Sequence, residues 1–328
     1  MHGSVRFSLR NFLFLLMLLA GLCGVPRLAL ANMIIVLNSG DATINVIDPV
    51  TQKIVRSLAV GKEPHHLMEM PDGKSLIVGS SQGNSLTFLD PRTGDVQKTV
   101  RNIEDPYQLA FSPDGKWFAV TCLRLNRVDL YNAADFKLVK RIAIGKLPSH
   151  LVYSADSSTL FVTLQGSDQI AGIDLVSQSV KWTMPVGALP AGIWMTPDDR
   201  YLMVGIMGSD YVEVIDWRTR KTVQKIVTGK GAHNFLPMGD SRRLLVSNRV
   251  ANTISVIDMS TMKKVQEFTA LGGPDCMEVS ADGKTLMFTS RWMKRVSMVD
   301  IASGRLLAQI AVGRSPHGIY FAEHAARR

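Results

Sequence analysis

The sequence predicts an all-β fold, a seven-bladed β-propeller, on the basis of three observations. An Asp or Asn marker recurs seven times at a constant spacing of 42 residues. Each repeat holds four short patterns typical of β-strands, and no stretch after residue 31 gives a convincing amphipathic helix. Four-stranded repeats of about 40–45 residues are propeller blades. The markers are Asp48, Asp90, Asn132, Asp174, Asp216, Asp258 and Asp300.

Two further sets of residues repeat at the same spacing. One is a proline column that a single alanine interrupts: Pro64, Pro106, Pro148, Pro190, Ala232, Pro274 and Pro316. The other is an aspartate column, mostly within turns like Ser112-Pro113-Asp114-Gly115. Asp and Asn side chains bond to nearby backbone N–H groups, so these columns and the markers indicate turns. The three columns repeat with the same spacing along the chain and therefore predict seven blades.

The ends of the chain predict how the ring closes. The strand patterns of one repeat, named A to D, are 65–70, 75–80, 85–90 and 96–100 in the second repeat. The chain starts with a B pattern, Ile34–Leu37, and ends with an A pattern, Pro316–Phe321. One blade is therefore shared between the two ends, which removes the open sheet edge of a split ring.

Residues 1–31 are predicted to be a cleaved signal peptide. Arg6 and Arg10 precede the apolar run Phe12–Leu22, and Ala29-Leu30-Ala31 offers a cleavage site. We expect a periplasmic or secreted protein that begins after Ala31, with a net charge of +6 in place of +9. No later apolar run approaches the ~20 residues of a transmembrane helix, so no transmembrane segment is expected after signal removal.

Short motifs exclude several kinds of chemistry. Cys122 and Cys276 occupy different positions in their repeats, so we expect free thiols and no disulfide. The sequence contains no CxxCH, which excludes covalent c-type haem, and no CxxC or HExxH. Gly79–Gly83 matches GxSxG, but a predicted hairpin lacks the helix that a nucleophile elbow requires.

Three motifs carry a resemblance to a known family: SNRVANTISVID (Ser247–Asp258), SPDGK (Ser112–Lys116) and VGRSPHG (Val312–Gly318). With these, the chain resembles the YVTN family of extracytoplasmic seven-bladed β-propellers, although the YVTN tetrapeptide itself is degraded. It is more distantly similar to the d1-haem domain of cytochrome cd1 nitrite reductases and to lactonase-type propellers. The resemblance implies the fold and the compartment, and says little about activity.

One face of the predicted ring concentrates the candidate functional residues. Because the strands are antiparallel, the D–A and B–C loops share this face, and strand A lines the channel. The position after the recurrent proline carries His233, Asp275, His317, His65 and Tyr107 on five contiguous blades. The next position adds His66, His150, Asn234 and Cys276, and the B–C loops add Arg249, Arg291 and Trp292.

These residues leave three functions open. The favoured one is a non-catalytic extracytoplasmic scaffold that binds an unknown small ligand or periplasmic protein at this face. The second is a metal- or haem-binding oxidoreductase or cofactor carrier. Imidazole and carboxylate suit a transition metal, and His and Tyr can hold a tetrapyrrole. The candidate metal ligands are His65, His233, His317 and Asp275.

The third possibility is a lactonase-like hydrolase, with Asp275 beside His233 or His317 as its acid and base. The histidines can equally be structural and cap loop carbonyls where strand A begins. We expect a monomer and do not expect nucleic acid as a partner outside the cytoplasm. The cofactor, if one is bound, stays open.

Overall fold

A computed structural model describes residues 33–327 of the chain, and the predicted signal peptide lies outside these residues. The described part consists of 28 β-strands in seven four-stranded antiparallel sheets and contains no helix that could cross a membrane. The predicted all-β, seven-bladed propeller is therefore confirmed.

The strands, in chain order, are β1 (Ile34–Asn38), β2 (Thr43–Asp48), β3 (Lys53–Ala59), β4 (Pro64–Glu69), β5 (Leu76–Ser80), β6 (Ser85–Leu89), β7 (Val96–Arg101), β8 (Pro106–Phe111), β9 (Trp117–Cys122), β10 (Arg127–Asn132), β11 (Leu138–Ala143), β12 (Pro148–Tyr153), β13 (Thr159–Leu164), β14 (Gln169–Asp174), β15 (Ser179–Pro185), β16 (Pro190–Met195), β17 (Tyr201–Ile206), β18 (Tyr211–Asp216), β19 (Lys221–Val227), β20 (Ala232–Pro237), β21 (Arg243–Asn248), β22 (Thr253–Asp258), β23 (Lys263–Thr269), β24 (Pro274–Val279), β25 (Thr285–Ser290), β26 (Arg295–Asp300), β27 (Leu306–Ala311) and β28 (Pro316–Phe321).

The first blade joins the two ends of the described chain. Its sheet has the order β28-β1-β2-β3, and β28 pairs antiparallel with β1, with Ile34 opposite Phe321 and Ile35 opposite Tyr320. The next six blades follow in sequence, from β4–β7 to β24–β27. The strand shared between the termini is thus present as the sequence predicts.

The core lies between the sheets of neighbouring blades. The B and C strands are almost wholly buried, as in β5 and β6, while the D strands, such as β7, are largely exposed. One apolar cluster joins Ile35 and Leu37 of the first blade to Leu76 and Val78 of the second. Burial of this apolar surface holds each blade to the next and so keeps the ring together.

The marker aspartates build the turns on the face opposite the candidate site. Asp48 Oδ1 accepts hydrogen bonds from the N–H groups of Val50 (2.8 Å) and Thr51 (3.2 Å). Asp258 makes the same contacts with Ser260 and Thr261. The turns on this face are therefore stabilised by Asp side chains that accept hydrogen bonds from the following backbone N–H groups.

Candidate functional site

A β-bulge at the start of strand A brings two consecutive side chains into the channel. In the second blade Pro64 pairs with Ser80 and the next pair is Leu67 with Val78, so two residues of β4 oppose one of β5. The same shift occurs in β24, between Pro274 and Met277. A bulge interrupts the alternation of side chains in a strand. Both His65 and His66 consequently contact the ring of His317.

A hydroxyl from strand B stabilises several of these bulges. The backbone N–H of His150 donates to Thr163 Oγ1 (2.9 Å), and this hydroxyl donates to the carbonyl of Ala191 in the next blade (2.7 Å). Thr289 repeats the arrangement with Cys276 N–H and the carbonyl of His317. The sequence reasoning missed this role. In the sequence, this role is indicated by hydroxyl residues at the second position of the degraded YVTN tetrapeptide in four repeats: Thr121, Thr163, Ser247 and Thr289.

Five buried histidines form one continuous cluster in the channel. The ring centroids of His65 and His317 are 3.7 Å apart, and those of His66 and His317 are 4.7 Å apart. The cluster continues from His66 to His150 (5.1 Å) and from His150 to His233 (5.3 Å). All five side chains are buried. Strands from four blades therefore contribute imidazoles to one cluster.

Four ring nitrogens of this cluster are buried without a well-formed hydrogen bond among the described residues: His65 Nδ1, His66 Nε2, His150 Nε2 and His233 Nδ1, of which the last lies 3.4 Å from Asp275 Oδ1. A buried polar atom without a partner costs roughly 1–3 kcal/mol. Most buried polar groups in folded proteins are paired, so such a group of exceptions requires an explanation. A ligand that accepts the nitrogen lone pairs would supply one.

Asp275 lies at one side of the cluster and is buried among cations and donors. Arg249 forms an ion pair with it, Arg291 Nη1 lies 3.3 Å from Oδ2, and Asn234 Nδ2 donates to Oδ1 at 3.0 Å. Nitrogens of His233 and His317 each lie 3.4 Å from a carboxylate oxygen. Burial raises the pKa of Asp275, but the charge of Arg249, with contributions from His233 and Arg291, outweighs burial and holds this pKa well below its usual range. The ionised carboxylate therefore orients the neighbouring rings.

The histidines themselves are neutral near pH 7. Burial lowers the pKa of His65, His66, His233 and His317 well below the usual value, and burial lowers that of His150 to about 4. Neutral imidazole is the form that binds metal ions. The cluster can therefore offer its lone pairs without first losing protons.

Two groups within the cluster have the spacing of a metal site. One donor atom each from His65, His66 and His317 lie within 4.8 Å of one another, and so do donor atoms of Asp275, Cys276 and His317. Burial raises the pKa of the Cys276 thiol well above its usual value, so this sulfur is protonated. The three-histidine group is therefore the stronger donor set. The ligand set predicted from the sequence was His65, His233, His317 and Asp275. The close group contains His65 and His317 together with His66, and His233 lies at the far end of the cluster.

The other predicted site residues fall into two groups. Tyr107 lies with its ring 4.0 Å from that of His65, and Asn234 contacts Asp275 and the Cys276 sulfur. Trp292 is 59% exposed on its B–C loop and lies outside the buried cluster. Both Cys122 and Cys276 are free. The structure therefore gathers the channel residues together and leaves Trp292 on the surface.

This fold and its polar channel define the class of protein: a seven-bladed β-propeller with a buried histidine cluster at one end of its channel. A family model described as YNCE-like beta-propeller matches residues 17–327, and the chain belongs to this family. No curated protein matches the chain.

Several solved structures share the fold. Hydrazine synthase from Kuenenia stuttgartiensis is 22% identical, with a TM-score of 0.65 over 78% of this chain and 88% of that chain. The dihydro-haem d1 dehydrogenase NirN is 18% identical, with a TM-score of 0.66 over 90% of this chain and 76% of that chain. A protein of unknown function from Desulfotomaculum acetoxidans is 14% identical, with a TM-score of 0.74 over 89% and 99% of the two chains. These likenesses show the fold alone.

Proposed function

We propose that this protein is an extracytoplasmic binding protein that holds one transition-metal ion in its channel. The ligands are the imidazoles of His65, His66 and His317, whose donor atoms lie within 4.8 Å of one another. The observation that carries the proposal is that two of the buried, unpartnered ring nitrogens, His65 Nδ1 and His66 Nε2, belong to this three-histidine group. The predicted signal peptide, residues 1–31, supports the compartment.

The donor chemistry favours zinc or copper. Three neutral imidazoles suit both ions, and oxygen-preferring ions such as calcium or magnesium are disfavoured by such a set. Ligand nitrogens about 2.0–2.1 Å from a tetrahedral ion are about 3.4 Å apart. The donor atoms of the three histidines lie within 4.8 Å of one another, so the rings must turn and move closer together to hold one ion. Asp275, 3.4 Å from His317 Nε2, serves as the carboxylate that orients a metal-binding histidine.

The cluster fits a single ion better than a tetrapyrrole. The ring of His65 is packed between Tyr107 and His317, with centroid distances of 4.0 and 3.7 Å. A macrocycle needs a planar slot among its ligands, and these rings occupy that space themselves. The hydrolase alternative also fits poorly, because Asp275 is fully buried and held as an anion by Arg249 and Arg291.

Equilibrium metal binding tests the proposal. The chain from Asn32 onward, stripped with a chelator, is titrated with zinc and with copper, and bound metal is measured by elemental analysis. We expect one ion per chain. His65→Ala, His66→Ala and His317→Ala should each weaken binding by about 10-fold or more, because each removes one of three ligands.

His324 provides the matched control, since it lies away from the cluster near the C-terminal end and contacts Glu69 (3.6 Å). His324→Ala should bind metal like the wild type. Circular dichroism establishes that each variant is folded. A folded wild-type protein that binds neither ion, or cluster variants that bind as the wild type does, would disprove the metal site.

A further inference from the structure

The loop face around the channel mouth carries an unusual share of exposed apolar side chains. Outside the D strands, seven large apolar side chains of residues 33–327 are exposed on this face, whereas only Val50 and Val176 are exposed on the opposite face. Six of the seven form three pairs at equivalent positions of the repeat, and the seventh is Leu271. The pairs are Leu125 with Met293, Leu147 with Leu189, and Val250 with Trp292.

Equivalent positions of similar blades lie at the same height in a closed ring. All seven blades have the same four-stranded order and the same repeat length. The two members of each pair therefore stand at the same height, and the three pairs form an arc of apolar tips over the third to seventh blades. Such an arc differs from single exposed side chains, which are normal on a protein surface.

Cations surround this arc. Lys62, Lys146, Lys230 and Arg314 occupy one and the same position of the D–A loop in four blades, and all are exposed. Arg314 pairs with Asp41, but the three lysines have no ion-pair partner in the part of the chain that the structure describes. Lys294 follows Trp292 and Met293 directly and is also exposed. The face therefore presents these unpaired lysines beside its apolar tips, together with the exposed Asp168 and Asp210 of two B–C loops.

The largest apolar side chains are held in place by two glycines. A Cβ on Gly273 would lie 2.7 Å from the Trp292 ring, and one on Gly272 would lie 2.6 Å from Met293. Both glycines have positive φ, 67° and 93°, which also favours the absence of a side chain. Trp292 and Met293 thus lie directly against backbone while they stay exposed. A fixed, exposed Trp needs little ordering when it binds a surface.

We infer that this face binds peripherally to an anionic phospholipid bilayer. Trp292 and its apolar neighbours enter the boundary between headgroups and acyl chains, where Trp is favoured. The free lysines contact the anionic headgroups. A second copy of the chain fits less well, because it would oppose the same cations. An acidic protein is the other candidate occupant, and the experiment below separates it from a bilayer. The inference is independent of the metal site.

Vesicle flotation with the chain from Asn32 onward tests the inference. One set of vesicles contains phosphatidylglycerol and phosphatidylethanolamine in equal parts, and the other contains phosphatidylcholine alone. We expect binding to the first set only, weaker at high salt because screening acts on exposed charges. Brominated lipid should quench the fluorescence of Trp292 in the bound state.

Variants then assign the binding face. Trp292→Ser should lower the partition coefficient about 10-fold, and Lys146→Ala and Lys230→Ala should each lower it about fivefold. Val176→Ser, which also replaces an exposed apolar side chain by serine but on the opposite face, should have no effect. Equal binding to both vesicle types, or unchanged binding by the Trp292 and lysine variants, would contradict the inference. A lack of vesicle binding would also overturn it and leave an acidic protein as the occupant.

Discussion

The imidazole rings of His65 and His317 stack with their centroids 3.7 Å apart, although the two residues lie near opposite ends of the chain. His65 follows the first residue of β4, and His317 lies in β28. They meet because β28 pairs with β1 and completes the first blade beside the second. Ring closure therefore also assembles the histidine cluster.

Removal of the closing strand should abolish both the fold and the cluster. Deletion of residues 313–328 takes away β28 and exposes the edge of β1 together with its apolar cluster. An open edge of this kind promotes aggregation. We expect loss of cooperative thermal unfolding, measured by circular dichroism, and aggregates in size-exclusion chromatography. Deletion of residues 326–328 keeps β28 and serves as the control; it should lower the midpoint far less, although it removes the contact of Arg327 with Glu278. A soluble 313–328 deletion with an unchanged midpoint would contradict the closed ring.

Neutralising Asp275 should destabilise the protein strongly. Asp275→Asn leaves the partly buried Arg249 and Arg291 without their carboxylate, and loss of one partner from a buried ion pair costs about 3–5 kcal/mol. The free energy of unfolding from urea denaturation measures the effect. The exposed pair of Arg56 and Asp95 gives the comparison. Asp95→Asn should cost less than about 1 kcal/mol, and equal costs for the two variants would refute the role given to Asp275.

The hydroxyl of Thr163 should contribute to the attachment of one blade to the next. Thr163→Val keeps the side-chain shape but removes the partner of the His150 N–H and of the Ala191 carbonyl. Buried groups left unpaired cost about 1–3 kcal/mol. Thr183→Val, at an exposed position of β15, should change the free energy of unfolding by less than about 0.5 kcal/mol. The prediction fails if the two variants are equally stable.

Glu278 lies in β24, at the opposite end of the strand from Asp275, and should make the stability of the protein depend on pH. Burial raises the pKa of Glu278 to about 7, although Arg327 opposes the shift. Between the usual pKa of 4.5 and this value the folded state binds more protons than the unfolded state, so stability falls as pH rises. The loss amounts to about 3 kcal/mol over this range and is complete above about pH 7.

Glu278→Gln isolates this effect from the other titrating groups. The free energy of unfolding of both proteins is measured by urea denaturation at several pH values. As pH rises from about 4.5 to about 7, the wild type should lose stability relative to the variant. Glu69 and Arg327, the charged groups beside Glu278, are present in both proteins. A difference independent of pH would show that folding does not raise the pKa of Glu278.

The sequence predicted the ring more completely than the site, for a physical reason. Turn residues such as Asp48 and Asp258 act locally, so their spacing alone gives seven blades and the strand shared by the termini. The histidine columns also predicted side chains that the structure gathers into one cluster. The β-bulge, however, depends on how two strands pair, and the Thr163 hydroxyl that stabilises it was not identified from the sequence. Because packed sheets are ~10 Å apart, only two or three neighbouring blades can reach one ion. The close three-histidine group comes from two blades, β4 and β28, because the bulge in β4 brings both His65 and His66 into the channel.

X-ray absorption spectroscopy at the edge of the bound metal tests the metal site most directly. The protein is isolated without chelator from the compartment in which it matures, and the fine structure reports the ligand atoms. We predict three nitrogen ligands at about 2.0 Å with the outer-shell scattering of imidazole rings, which is reduced in His66→Ala. A protein without metal, or a metal with only oxygen ligands that is unchanged in His66→Ala, would contradict the proposal that His65, His66 and His317 hold an ion.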